Sequence, residues 1–223
     1  MKRYSTWFLI KRLNFNSIKF NLRYFPFKQA IKLPVFLHKN VLLKDLSGKV
    51  EIHGNAQSGD IWIGYGDVGI FDITYSRTIL EIKGKLIFKG SAFIGQGSRI
   101  SVGKSGTLAI GDKFKITAES SIICFDEISI GNEVLLSWQV QVMDTDFHRI
   151  YNDSNELLNA DKPIIINNKV WIGSRCTILK GAELPQGSVV AANSLVSKQL
   201  EGNNCLYAGQ PAKLLKEDIY WVA

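Results

Sequence analysis

From about residue 82 onward, an aliphatic or aromatic residue returns every six positions. One run is Ile82, Phe88, Ile94 and Ile100, and a second is Ile110, Ile116, Ile122 and Ile128. A third is Ile130, Leu136 and Val142, and the last runs through Ile166, Ile172, Ile178, Leu184, Val190 and Val196. Between runs the phase slips by two residues, as from Ile100 to Val102 and from Ile128 to Ile130. Ile94, Val102, Ile110, Ile130 and Ile172 are each followed by glycine, and Ile63–Gly64 marks an earlier, ragged start. A period of six matches neither the 3.6 of a helix nor the alternation of a hairpin sheet. It predicts a solenoid of very short strands, each pointing one aliphatic side chain inward and ending in a corner that tolerates glycine. Three such hexapeptides close one triangular coil of roughly 18 residues. Stacked coils bury a continuous aliphatic column and pair their backbones as parallel strands. A sandwich of short strands is the alternative, but the Asn-Gly and Asp-Gly hairpin turns it would use are absent.

The beat fails once. Continued past Val142, inward positions would fall on His148, Ser154 and Ala160. Instead the pattern resumes at Ile166, 24 residues after Val142 and so four whole repeats later. The prediction is an intact solenoid carrying an excursion over residues 144–165. Long excursions from compact architectures are usually functional or disordered. This one opens with "MDTDFH", which favours function.

A hydroxyl that attacks a carbonyl must lose its proton as it does so. An imidazole, with an ordinary pKa near 6.5, suits a general base at neutral pH. A backbone N–H of the solenoid could stabilise the oxyanion that such an attack creates.

The [LIV]-Gly-x4 pattern resembles the hexapeptide-repeat acyltransferases, and among them most the sugar O-acetyltransferases of bacterial surface-polysaccharide pathways. The resemblance covers residues 82–213 well and 48–81 loosely. It implies a mainly β fold, a left-handed parallel β-helix, whose hand is an exception to the right-handed crossover rule. It further implies acetyl-CoA as co-substrate, a homotrimer with active sites between neighbouring subunits, and a loop histidine as base. His148 holds that place in "MDTDFH". Asp144 and Asp146 would orient the imidazole or bind sugar hydroxyls, though either could simply cap the turn into the loop. Trp138 and Phe147 would give an apolar platform for a sugar ring or wedge the loop in place. Family members often have proline after the histidine; here Arg149 follows it.

The segments "NKVWIGSRCTILKGAELPQGSVVAANSLVSK" and "YAGQPAKLLK" look like the family's donor-binding coils. Carried over residue by residue, Trp171 and Ser174 would line the thioester end, and the backbone of Ala192 would contact the pantetheine arm. Ser197 and Lys198 would lie further along, and Lys213 near the nucleotide phosphates. "ELPQGS" stands where many relatives have an Ile-Gly repeat.

Charge changes the picture at one end. Residues 1–44 hold ten Lys and Arg and no Asp or Glu, so the net charge of +7 combines a +10 head with a mildly acidic body. Aromatics are interleaved with these cations. The head is expected to be a helical cap packed on the body, with a peripheral contact to an anionic membrane as a compatible role. No nucleic-acid-binding motif accompanies the charge. The expected organisation is 1–47 as the N-terminal segment, 48–213 as the acyltransferase solenoid and 214–223 as a tail.

Cys124, Cys176 and Cys205 form no CxxC pair and are odd in number, which favours a reducing, cytoplasmic setting, at most at the inner face of the membrane. "WFLI" is interrupted by Lys11 and Arg12, so no secretory signal is expected, and no run reaches the roughly 18 apolar residues of a membrane span. A zinc site needs three converging histidines, whereas His38, His53 and His148 are scattered and two lie outside the regular coils, so no metal is expected. A non-catalytic trimeric scaffold remains an alternative, although it would need neither the DTDFH excursion nor the C-terminal cations. An acetyltransferase acting on an antibiotic or amino sugar would share base and donor and differ in its acceptor pocket.

Overall fold

The computed structural model describes residues 5–222. Its body is a three-sided parallel β-helix with faces of nine, seven and six strands. Neighbouring strands are parallel throughout, except for the terminal pair Leu206–Gly209 and Ala212–Lys216, which is antiparallel. The six-beat residues form the core: Ile82, Phe88, Ile94, Ile116, Ile122, Ile128, Leu136, Val142, Ile172, Ile178, Leu184 and Val190 are all fully buried.

Coil length is not constant. Ile178 pairs with Val196, 18 residues on, but Leu80 pairs with Ile100 and Ile100 with Ile122, offsets of 20 and 22. The longer coils contain four-residue strands with two inward side chains, such as Ile100 with Val102 and Ile128 with Ile130. That second inward residue is the physical origin of the two-residue phase slip. Val142 then pairs with Ile178, an offset of 36, so the coils close in register beneath the excursion.

Two corner devices hold the coils together. A Cβ on Gly84 would sit 2.2 Å and 2.3 Å from the carbonyl oxygens of Gly103 and Gly106, so only glycine lets the backbones stack there. At another corner the side chains step upward from coil to coil. Asp112 accepts from the Ser91 N–H at 2.7 Å, Asn132 from the Asp112 N–H at 2.8 Å, and Asn168 from the Asn132 N–H at 2.7 Å. Such corners would otherwise leave backbone donors unpaired.

The regular strands begin earlier than the expected boundary at residue 48. Val35–Leu37, Leu42–Asp45 and Lys49–Ile52 form the first coil, one strand on each face. The N-terminal segment proper is therefore three short helices: α1 (Thr6–Ile10), α2 (Phe15–Tyr24) and α3 (Phe27–Ala30). At the other end, the segment expected as tail from residue 214 begins inside the last strand. No helix among the described residues is long and apolar enough to cross a membrane.

Candidate active site

The excursion leaves the solenoid after the strand Gln141–Met143 on the seven-stranded face and returns at Ile164–Ile166 on the six-stranded face. It therefore projects from the edge between those two faces. Its first residue, Asp144, is fully buried, and its carboxylate accepts from the N–H groups of Phe125 at 2.7 Å and Asp126 at 3.0 Å. Burial pushes this carboxyl up from the ordinary range, and the two N–H donors pull against that shift. Asp144 caps the coil below it. Buried and paired in this way, it takes the turn-capping place that the sequence left open beside an acceptor-binding one.

Asp146 is the loop's tether. Lys180, which follows the strand Thr177–Leu179, donates to its Oδ2 at 2.6 Å and to the Asn159 carbonyl at 2.7 Å. Asn159 in turn donates to Asp146 at 2.9 Å and to the His148 carbonyl at 2.8 Å, and accepts from the Ile150 N–H at 2.7 Å. Lys180 and Asn159 hold the Asp146 carboxyl below its usual range. Arg149 grips Asp161 with both guanidinium nitrogens, at 3.1 Å and 2.9 Å. Burial works against the Asp161 carboxylate, but Arg149, Thr145 and Lys180 together outweigh it and keep that group low as well. Arg149 thus cross-links the loop.

Phe147 adopts φ +60° and sets its ring edge-on to Phe125, with centroids 5.0 Å apart. This is a wedge contact, although over half of the side chain remains exposed. His148, next in sequence, is exposed on the outside of the tethered loop. Lys180, Asn159 and Asp161 were not among the residues the sequence singled out. Lys180 carried no local signal, since its contact with Asp146 spans 34 residues.

The donor-side residues occupy two edges. Ser174 and Ala192 stand on successive coils where the nine-stranded face meets the seven-stranded one, and Trp138, expected on the acceptor side, stands at the same edge one coil earlier. The Arg175 N–H donates to the Trp138 carbonyl at 3.0 Å and the Asn193 N–H to the Ser174 carbonyl at 2.9 Å. The N–H groups of Ser174 and Ala192 donate to no group among the described residues. Trp171 lies beside this edge, its Nε1 donating to Ser137 Oγ at 3.1 Å and its ring 6.0 Å from Trp221. Ser197 and Lys198 follow the strand Leu195–Val196 and so lie on the excursion's edge instead, both exposed. Lys213 is exposed in the antiparallel end strand. A single chain thus keeps His148 and the Ser174–Ala192 ledge on different edges, separated by the seven-stranded face.

All three cysteines are buried, and burial together with Asp144 pushes the Cys124 thiol up, away from a thiolate nucleophile. Among the described residues, no three His, Cys, Asp or Glu side chains converge as a cation would require.

No protein-family model matches the chain. An uncharacterized 24.8 kDa protein in the cps region of Klebsiella pneumoniae is 35% identical over 165 residues, which is 69% of this chain and 70% of that protein. The polysialic acid O-acetyltransferase of Escherichia coli O1:K1 is 31% identical over 134 residues, 60% of this chain but only 41% of the enzyme. The match therefore spans less than half of that relative. Among solved structures, the hexapeptide-repeat-containing acetyltransferase of Vibrio cholerae complexed with acetyl coenzyme A superposes with a TM-score of 0.50 at 26% identity. That superposition covers 59% of this chain and 70% of the other.

Proposed function

The chain belongs to the hexapeptide-repeat acetyltransferases, and we propose that it moves an acetyl group from acetyl-CoA to a sugar hydroxyl during assembly of a surface polysaccharide or lipopolysaccharide. The observation that carries this reading is the excursion itself. Around His148 the loop is cross-linked through Asn159, Asp161 and Lys180, which presents the imidazole on a fixed ledge at a prism edge.

In the proposed reaction, the acceptor hydroxyl attacks the thioester carbonyl as His148 takes its proton. The carbonyl oxygen becomes an oxyanion, and the unpartnered N–H groups of Ser174 or Ala192 are suited to receive it. Collapse of the tetrahedral intermediate expels the CoA thiolate, which is protonated to the free thiol. No covalent enzyme intermediate is needed. Trp171 borders the thioester end, and Lys198 and Lys213 supply cations for the nucleotide phosphates.

Base and ledge lie on different edges of one chain, so the complete site requires two chains. A cyclic homotrimer brings one subunit's excursion edge, with His148, Ser197 and Lys198, against the next subunit's edge, with Trp138, Ser174 and Ala192. The same reading puts the enzyme in the cytoplasm, where its three unpaired cysteines stay reduced. The ten cations of residues 1–44 add a peripheral contact with an anionic membrane.

The test is direct. Purified protein with acetyl-CoA is given a panel of activated sugars, sialic acid polymers and lipid-linked oligosaccharides, and free thiol is followed. Acceptor-dependent thiol release with an O-acetylated product supports the reading, and thiol release from no sugar in the panel rejects it.

A further inference from the structure

Helix α2 is turned the opposite way to an ordinary surface helix. The side it buries against the first coil carries Ser17, Phe20 and Asn21, and two of those three are polar. Their role is to complete an open sheet edge. Strand Val35–Leu37 is the terminal strand of the nine-stranded face and has no preceding coil to pair with. Asn21 donates to the Val35 carbonyl at 2.7 Å and accepts from the Val35 N–H at 3.2 Å. Ser17 accepts from the Leu37 N–H at 2.9 Å, and Asn14 donates to the Leu37 carbonyl at 2.6 Å. Side chains thus take the place of the missing strand's backbone, which removes an edge prone to association.

Because polar residues occupy the inner side, apolar residues are left outside. Phe15, Ile18 and Leu22 recur at helical spacing on the outer side of α2, with Lys19 and Arg23 among them. Phe27 in α3 and Ile31 just beyond it continue the patch, flanked by Lys28 and Lys32. Phe15 is 76% exposed and Phe27 73%, so neither ring is buried by its own chain. Lys19 and Lys28 have no ion-pair partner among the described residues.

We propose that this end of the solenoid is a membrane base: the outer side of α2 and α3 lies on an anionic lipid surface, with the coils stacked away from it toward His148. The proposal refines the peripheral membrane contact stated above by naming the face and the side chains. Charge decides the occupant. Residues 1–44 contain no anion, so a second copy of the same face would bring like charges together, whereas anionic headgroups neutralise them as Phe15, Leu22 and Phe27 enter the interface. The arrangement also gives Lys19 and Arg23 a reason to border an apolar stripe, because cations at that depth reach headgroups while aromatics reach acyl chains.

The full-length protein is pelleted with vesicles of phosphatidylcholine alone or with added phosphatidylglycerol. Binding is expected only with the anionic lipid and to weaken with salt. Lys19→Glu with Lys28→Glu should lower the partition coefficient about tenfold or more. Phe15→Ser with Phe27→Ser should lower it comparably, while Lys104→Glu, at an exposed site on the body, should leave it unchanged. Acetyl transfer to a water-soluble acceptor should stay at wild-type rate in every variant, which separates failure of this proposal from failure of the catalytic one. Unchanged vesicle binding in both double variants overturns it. So does a change in oligomer size in sedimentation velocity without a change in vesicle binding, because that result assigns the face to protein contact.

Discussion

Lys180 Nζ donates to Asp146 Oδ2 across 2.6 Å, and this contact fastens the excursion to the coil stacked on the one it leaves. The loop that carries His148 is therefore part of the solenoid's edge. Lys180 is only 17% exposed and also holds the Asn159 carbonyl, so one ammonium closes both arms of the loop.

Removing that ammonium separates positioning from folding. Lys180→Ala should lower kcat about tenfold while costing global stability about 1 kcal/mol or less, as expected of a partly exposed pair. Hydrogen exchange across residues 146–160 should accelerate, with exchange in the coils unaffected. Wild-type kcat with faster loop exchange would show that loop order does not matter to the chemistry.

His148→Ala should reduce kcat by about 100-fold or more with little change in KM for acetyl-CoA. The side chain is exposed, so the thermal midpoint should stay at the wild-type value. Retention of most activity in a normally folded variant would remove His148 as the base.

The proposed division of the site between two chains predicts complementation. His148→Ala and Ala192→Trp chains should each be inactive alone. Trimers assembled from an equal mixture should regain about a quarter of wild-type activity, because a quarter of the interfaces then pair an intact histidine with an intact ledge. Zero recovery in verified mixed trimers would place both groups in one chain's site.

Asp144 calls for the opposite expectation to His148. Asp144→Ala takes the carboxylate from two part-buried N–H groups and should cost about 1–3 kcal/mol in denaturant unfolding. Turnover per folded molecule should remain within a few-fold of wild type. A large loss of kcat at unchanged stability would return Asp144 to the chemistry.

Acid should free the loop before it unfolds the coils. The Asp146 and Asp161 carboxyls are both held low in the folded protein, so their contribution is present above the ordinary carboxylate range and disappears as pH falls through the lowered values. Limited proteolysis between residues 146 and 160 should begin below roughly pH 4, with the far-ultraviolet circular dichroism of the solenoid intact. A loop that stays resistant to pH 2 would show that these pairs do not hold it.

The sequence by itself determined the solenoid. An aliphatic residue every six positions has one economical burial, inside a three-sided coil, and the 24-residue gap before Ile166 preserved that count. It also picked out His148, because a histidine at the single break in a repeat stands out without any contact being known. What it missed depends on contacts between coils. Asp144 reads equally as a sugar-binding group and as a turn cap until its carboxylate is found on the Phe125 and Asp126 N–H groups, and Lys180 reads as a solvated lysine until its partner 34 residues away is placed. The N-terminal boundary moved for a similar reason: Val35–Leu37 lacks the Ile-Gly signature but gains its ladder from Ile61–Ile63. Periodicity is local and survives in one dimension. The choice of which side of α2 meets the core, and therefore which side is left for a partner, was settled by the unpaired backbone of a strand that only the folded chain brings beneath Ser17 and Asn21.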